Sequence, residues 1–231
     1  MSTHFKLSRL LTFLWFDVTF PYRFSFYTTI DPEELSQIFQ IRYRVYCEEN
    51  GYLKKSDYPQ KKESDKYDAH SVQFVIRNKS DEIVAAARLI LNSSEGFPAE
   101  HQFNINLANF ANLPVDKSKL SEISRFIVMK KHRKHFLLLA LAKGIIVYML
   151  ANGIQYGYFV LDQSLHSTLT RLGFPLKQVG ETALYQGITT PYMMEMNEML
   201  DSLHNVNPFF FRFIVRGKAE FNPLSSGYSI R

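Results

Sequence analysis

LSEISRFIVM, residues Leu120 to Met129, is the stretch on which the reading of the fold turns. Its apolar and β-branched content makes it a central strand. HFLLLALAKGIIVYMLAN, His135 to Asn152, follows as a strongly apolar helix stopped by Gly153, and YGYFVL, Tyr156 to Leu161, returns as a second strand. Yet Glu122 and Arg125 stand inside the first strand. Being an odd number of residues apart, they would point to opposite faces of a regular strand. A β-bulge would turn both toward one site.

Working outward, the same conflict recurs. Ser71 to Asn78 (SVQFVIRN) and Glu82 to Leu91 (EIVAAARLIL) predict a hairpin turning at Lys79-Ser80-Asp81. Arg88 lies in the second of these strands, whose apolar run indicates cover on both faces. Tyr22 to Ile30 predicts an earlier strand. Asp31-Pro32-Glu33-Glu34 then starts a helix, with Asp as N-cap and Pro at the first helical position, running to about Asn50 with Gly51 as its stop. Leu35, Ile38, Phe39, Val45 and Tyr46 form its apolar stripe, and Arg42 falls on that stripe. A buried arginine needs a carboxylate, because a stranded charge costs several kcal/mol. Glu63-Ser64-Asp65-Lys66-Tyr67-Asp68 supplies three carboxylates in one loop. Such a run also suits a hard cation, but it lacks the central glycine and downstream glutamate of a calcium loop. Ion pairing of these acids, together with Glu122, with Arg42, Arg88 and Arg125 around one cleft is therefore preferred, with no metal ligands assigned.

The remaining elements are a long connection from Asn92 to Lys117 with a short helix near Leu107 to Asn112, and a helix from Ser164 to Leu172 closed by Gly173. A strand over Lys177 to Tyr185, another over Pro191 to Met196 and a helix from Glu198 complete the order. This is an α/β chain: a central mixed sheet with helices on both faces. Three parts are expected: an apolar helical segment over 1–20, a domain over 21–205, and an aromatic tail over 206–231 packing on that domain.

Composition narrows the function. With 231 residues, 46% hydrophobic and 21% charged, the chain suits one globular domain with a full core. Twenty Phe and thirteen Tyr fit an aromatic core or a deep apolar pocket. A net charge of +5 favours an acidic partner but is too small to indicate nucleic acid, and no nucleic-acid motif is present. The single cysteine, Cys47, excludes an intramolecular disulfide and reads as a buried small hydrophobe, in keeping with a reducing cytoplasm. Phe5 to Phe20 is interrupted by Lys6, Arg9 and Asp17, which makes a spanning helix or a signal peptide a poor fit. Packing on the domain is favoured there over peripheral contact with a membrane surface.

These residues also carry a resemblance. Arg42-Tyr43-Arg44-Val45-Tyr46, Glu63-x-Asp65-x-x-Asp68, Arg88 in Ala-Arg-Leu, and Glu122-x-Ser-Arg125-Phe126 resemble, in order, the motifs of acyl-homoserine-lactone synthases. Tyr52 stands where that family usually has tryptophan, and Tyr46 where it has phenylalanine. The segment from Tyr185 to Leu200 looks more like the N-acyl amino acid synthases and the acyltransferases associated with exosortase systems. The resemblance implies the GNAT fold and a fatty acyl thioester, on acyl carrier protein or coenzyme A, as donor substrate with no further cofactor. The two tyrosines put the S-adenosylmethionine of lactone synthesis in doubt, so an amino acid or related small amine is the expected acceptor.

On this reading the chain is an N-acyltransferase. Glu122 is the candidate base, with Arg125 and Glu63 completing the catalytic set. Arg42, Tyr46, Tyr52, Asp65, Asp68 and Arg88 form the acceptor side. Phe126 and Val128 with the basic Lys131, Arg133 and Lys134 form the donor side, where cations would suit a phosphopantetheine phosphate or an acidic carrier. Phe126, Phe136 and Phe159 are candidate walls of an acyl tunnel. Lactone synthesis, and a GNAT-like module that binds carrier or lipid without chemistry, are the alternatives.

Overall fold

The computed structural model describes residues 20, 22–108, 110, 116–133 and 136–215. Residues 1–19, Lys134 and the tail beyond Val215 lie outside that set, so the expectations placed on them are not addressed by it. No helix among the described residues is long and apolar enough to cross a membrane.

The sheet runs β1 (Phe24–Thr29), β2 (Ser71–Asn78), β3 (Ile83–Leu91), β4 (Leu120–Val128), β5 (Tyr156–Leu161), β8 (Ile188–Glu195) and β6 (Lys177–Gln178), with β7 (Ala183–Leu184) pairing β8. β4 and β5 pair in parallel and every other neighbour is antiparallel, so the sheet is mixed as expected. The parallel pair is joined by α3 (Leu137–Ala151), the crossover that the apolar run predicts. α3 lies on one face with α4 (Gln163–Leu172), α5 (Met196–Val206) and α6 (Pro208–Val215) over the largest apolar cluster. α1 (Pro32–Tyr43) covers the other face through Ile38 and Ile41 against Val75, Ile83 and Ala86. The short α2 (Pro98–Gln102) packs there too, with Phe97 and Ala99 beside Ile90 and Tyr158.

Local chemistry explains most boundaries. Asp31 caps α1 by accepting from the Glu33 and Glu34 amides, with Pro32 at its first position. Gly173 takes φ 105° to end α4, where a side chain would be strained. β3 is buried on both faces, which the run Val84-Ala85-Ala86-Ala87 required.

Four sequence expectations shift. The first helix leaves α geometry at Arg44, and Arg44–Glu49 is a π-helical turn in which the Asn50 amide bonds the Val45 carbonyl. The extra residue per turn rotates Tyr46 off the α-helical stripe. The long connection carries a short helix that was not expected, Pro98–Gln102, where Pro98 supplies a preset helical φ, while the one expected near Leu107 to Asn112 falls in part outside the described residues. The strand expected over Lys177 to Tyr185 is two two-residue pieces flanking a turn. The last strand starts at Ile188, three residues early, since Pro191 sits inside it without ending it.

α3 sits close on the sheet because Gly144 lacks a side chain. A Cβ there would stand 1.9 Å from the tip of the Phe26 ring of β1, a severe overlap. Gly144→Ala should therefore lose about 1–3 kcal/mol by overpacking, despite its better helix propensity. Chemical denaturation would measure it; a gain in stability would show that the helix lifts off freely.

Candidate active site

The site is built on a bulge in β4. From Arg88 to Ala86 on β3 the partner residues on β4 run from Ser124 to Ile127, so two residues, Arg125 and Phe126, oppose Ala87 alone. Arg125 takes φ 52°, a left-handed conformation that a non-glycine residue adopts at a cost of order 1–2 kcal/mol. The bulge reverses the side-chain alternation. Ile123 packs into the cluster beneath α3, and beyond the bulge so do Phe126 and Val128. Arg125 is thereby left on the face of Glu122 and Ser124.

On that face three arginines meet three acids. Arg42 Nε donates to Glu63 Oε2 at 2.5 Å and Nη1 to Asp68 Oδ1 at 2.6 Å. Arg125 Nη2 reaches Glu63 Oε1 at 2.8 Å and Asp65 Oδ2 at 3.2 Å. Arg88 Nη1 bonds Asp65 Oδ1 at 2.6 Å and Asp68 Oδ1 at 2.9 Å, while its Nε donates to Ser124 Oγ at 3.0 Å. Glu63, Arg42 and Arg88 are each 0% exposed. The loop holds its acids in place locally. Asp65 and Asp68, three apart, form a reciprocal capping box around the turn Lys66–His70, and the Glu63 amide bonds the Phe39 carbonyl of α1.

Glu122 was expected to join these ion pairs, and it does not. It accepts a hydrogen bond from the Ala99 amide of α2 at 2.8 Å. The arginines are already matched by the loop acids, so no guanidinium is left to turn toward it. Burial accordingly raises the Glu122 carboxyl to about 7, against the Ala99 amide and the charges of Arg88 and Arg125, which pull the other way. Glu63 and Asp68 behave oppositely. Burial alone would raise them, but the adjoining guanidinium charges outweigh it and hold both at about 2. Burial also raises the Cys47 thiol, in keeping with a packing role.

Beside this cluster the sheet opens. β4–β5 pairing stops at Ile123 and Phe159, although β4 continues to Val128 and β5 to Leu161. A cavity of about 600 Å³ occupies the gap. Its apolar side is a helical stripe of α3, namely Leu138, Ala142, Ile145, Ile146 and Met149, facing Leu165 and Leu169 of α4. Its polar end holds Glu122, Ser124, Arg125, Tyr46 and Tyr52. Tyr46 lies under the Arg125 guanidinium at 5.0 Å and edge-on to Tyr52 at 6.1 Å, with Tyr52 remaining 42% exposed.

Phe126, Val128 and Phe159 line this cavity, and so does Arg133, whose Nη1 bridges Glu49 at 2.5 Å. Lys131 is exposed and outside the lining. Phe136, expected as a wall, is 37% exposed and does not line it, because it precedes the first buried turn of α3. The sequence reading missed the turn between β7 and β8. There Gln186 Oε1 accepts from Arg125 Nη1 at 2.9 Å, and Tyr185 joins the lining. Gln186-Gly187, both at positive φ between two extended runs, was the available hairpin signal.

Residues 41–143 match the family described as acetyltransferase (GNAT) domain. The chain has the GNAT fold. Solved structures bear this out. A CoA-dependent acyl-homoserine lactone synthase, BjaI, with SAM and isopentyl-CoA is similar at 22% identity, with a TM-score of 0.61 over 75% of this chain and 82% of that one. The AHL synthase LasI matches at 18% identity and 0.62 over 79% and 95%. FeeM, an N-acyl amino acid synthase from uncultured soil microbes, matches at 15% and 0.62 over 80% and 97%. These are the families that the motifs resemble, and the GNAT match spans the arginines, the acid loop and the β4 bulge.

The ion cluster should dominate the acid stability of this GNAT-fold protein. Carboxyls whose folded pKa is depressed stabilise above their unfolded values, here 4.5 and 3.8, and lose that contribution as pH falls toward about 2. Glu63→Gln should cost about 3–5 kcal/mol near neutrality by stranding guanidinium charge. It should also flatten the decline in melting temperature below pH 4.5. A variant as stable as the parent, with the same acid slope, would show the cluster to be energetically idle.

Proposed function

We propose that this protein transfers a fatty acyl group from a carrier or coenzyme A thioester directly to the amine of a small molecule. One observation carries the reading: the cavity is apolar along α3 and opens, where β4 and β5 part, onto a single buried carboxyl, Glu122, beside the bulge. A volume of about 600 Å³ falls within the range of small-molecule sites. The neighbour BjaI, with its bound isopentyl-CoA, supports a thioester donor.

The chemistry follows from the groups present. The acceptor arrives as an ammonium and gives a proton to the Glu122 carboxylate, directly or through a water. The freed nitrogen attacks the thioester carbonyl. Beyond Ile123, amides of β4 that point toward β5 have no ladder partner, and one at the bulge serves as donor to the developing oxyanion. The C–S bond then breaks as the C–N bond stands. The second proton of the attacking nitrogen passes to the departing thiolate and the Glu122 proton returns to solvent, giving an amide and a free carrier thiol. Ser124 Oγ accepts from Arg88 Nε, and among the described residues no serine or cysteine at this site hydrogen-bonds a base, so no acyl-enzyme is invoked.

Incubating the protein with acyl carrier or coenzyme A thioesters and a mixture of amines, with mass spectrometry of the products, tests the reading. A new amide with release of one thiol is expected. Thiol release without amide would make the protein a hydrolase, and an unchanged thioester would make it a binding module.

Glu122→Gln should lower turnover by roughly 10²-fold at neutral pH. In the parent, kcat/KM should rise with pH through about 7 as Glu122 ionises, and the variant should lose that limb. Stability should move the other way. A carboxyl raised above its unfolded 4.5 stabilises fully below that value and loses the contribution as pH rises through about 7. The variant should thus be more stable than the parent at pH 8, by up to about 3 kcal/mol, and equal to it at pH 4. A parent-like rate near neutrality would remove Glu122 from the reaction.

Ala142→Phe fills the middle of the α3 stripe. It should shift the donor preference from long toward short acyl chains while leaving the pH profile in place, as read by competing thioesters of different length. An unaltered chain-length profile would place the acyl group elsewhere.

A further inference from the structure

The charges at the polar end of the cavity are already spoken for. Arg125 is the guanidinium on that wall, and its nitrogens donate to Glu63, Asp65 and Gln186. Arg88 is engaged on all three nitrogens by Ser124, Asp65 and Asp68. Arg42 has one unpartnered nitrogen, Nη2, but that atom is buried and the residue does not line the cavity. The three arginines and the three loop acids cancel. Arg133, also in the lining, is held by Glu49 and the Val128 carbonyl.

What remains facing an acceptor is the Glu122 carboxyl, uncharged polar side chains such as Ser124 and Asn50, and a set of tyrosine rings, Tyr46, Tyr52 and Tyr185. Tyr185 is braced edge-on by Phe103 at 5.8 Å, and Tyr52 packs against Gly187, where even a Cβ would stand 3.2 Å from its ring. The hairpin tip therefore holds aromatic surface over the carboxyl. Ring faces and a carboxylate both attract a cation. An anionic group entering the same space meets a like charge at Glu122 and, among the described residues, no uncommitted cation.

We infer that the acceptor is a primary amine with no carboxylate of its own, an alkyl or arylalkyl amine rather than an α-amino acid. The inference rests on the transferase reading above and narrows its acceptor class. The tyrosine wall favours the arylalkyl members, since a flat ring stacks where a short polar side chain leaves the rings exposed.

Matched pairs that differ by one carboxylate test it with the unaltered full-length chain. Tyramine is compared with tyrosine, phenethylamine with phenylalanine, and ethanolamine with serine, each with the same acyl thioester at pH 8, reading amide formation and kcat/KM. The decarboxylated member should be preferred roughly tenfold or more in each pair, the scale of one unfavourable charge contact in a partly enclosed site. Solution reactivity opposes this outcome, because an α-amine beside a carboxylate is the less basic and is more often neutral. Tyrosinamide, which keeps the size but not the charge of tyrosine, should behave like tyramine. Equal or better acylation of the amino acids overturns the inference while the transferase reading stands. Rejection of tyrosinamide along with tyrosine overturns it as well, by making size the discriminator. Acylation of none of these amines, with the thioester intact or merely hydrolysed, removes the transferase reading and this inference with it.

Discussion

Everything at the site hangs on Glu63, a carboxylate with no solvent exposure held between the guanidinium groups of Arg42 and Arg125. Removing these charges from water costs several kcal/mol per ion, and only close, multiply bonded pairing offsets it. That requirement is what fixes the geometry. Arg42 belongs to α1, Arg125 to the β4 bulge, and Glu63 to an otherwise irregular loop, so one carboxylate ties together three segments distant in sequence. Asp65 and Asp68 extend the tie to β3 through Arg88. The left-handed backbone at Arg125 persists because its guanidinium is gripped from the loop and, through Gln186, from the β7–β8 turn.

The same pairing sets the state of the one acid it leaves out. Were a guanidinium free to reach Glu122, that carboxyl would be held low like Glu63 and would be ionised but weakly basic. Because the arginines are matched elsewhere, Glu122 feels them only at a distance, and burial places it near 7. A group poised there can take a proton at neutral pH and release it again. The other five charges of the cluster act on the cavity only through their neighbours; of the three cluster arginines, Arg125 alone lines it.

Much of this was legible in the sequence. Arginines at positions 42, 88 and 125 interrupt apolar runs, and the only dense group of acids nearby is the loop from Glu63 to Asp68, so their meeting could be argued from the cost of stranding charge. The bulge was legible from the odd spacing of Glu122 and Arg125. Its consequence for Glu122 was not, because sequence gives the acids and bases but not their stoichiometry in space: three acids for three arginines leaves none over. The π-turn at Arg44–Glu49 was hidden as well, since its residues fit an α-helix equally well and only the Asn50 to Val45 bond distinguishes the two. The β7–β8 turn was lost inside a strand assignment, where two-residue pairings give too short an alternation to read.

The bulge does a second thing that bears on how two unlike reactants can meet. Before it, β4 gives Ile123 to the apolar cluster under α3 while Glu122 and Ser124 face the ion cluster; after it, Phe126 and Val128 take over the apolar side. One strand therefore presents hydrocarbon wall and charged wall in register at the level where it also leaves β5. An unbulged strand would have turned Arg125 into the apolar cavity, where its charge would meet only hydrocarbon. With the bulge, an acyl chain can lie against α3 on one side of the sheet while an amine approaches Glu122 from the other. On the proposed reading, the gap between β4 and β5 is where the two meet.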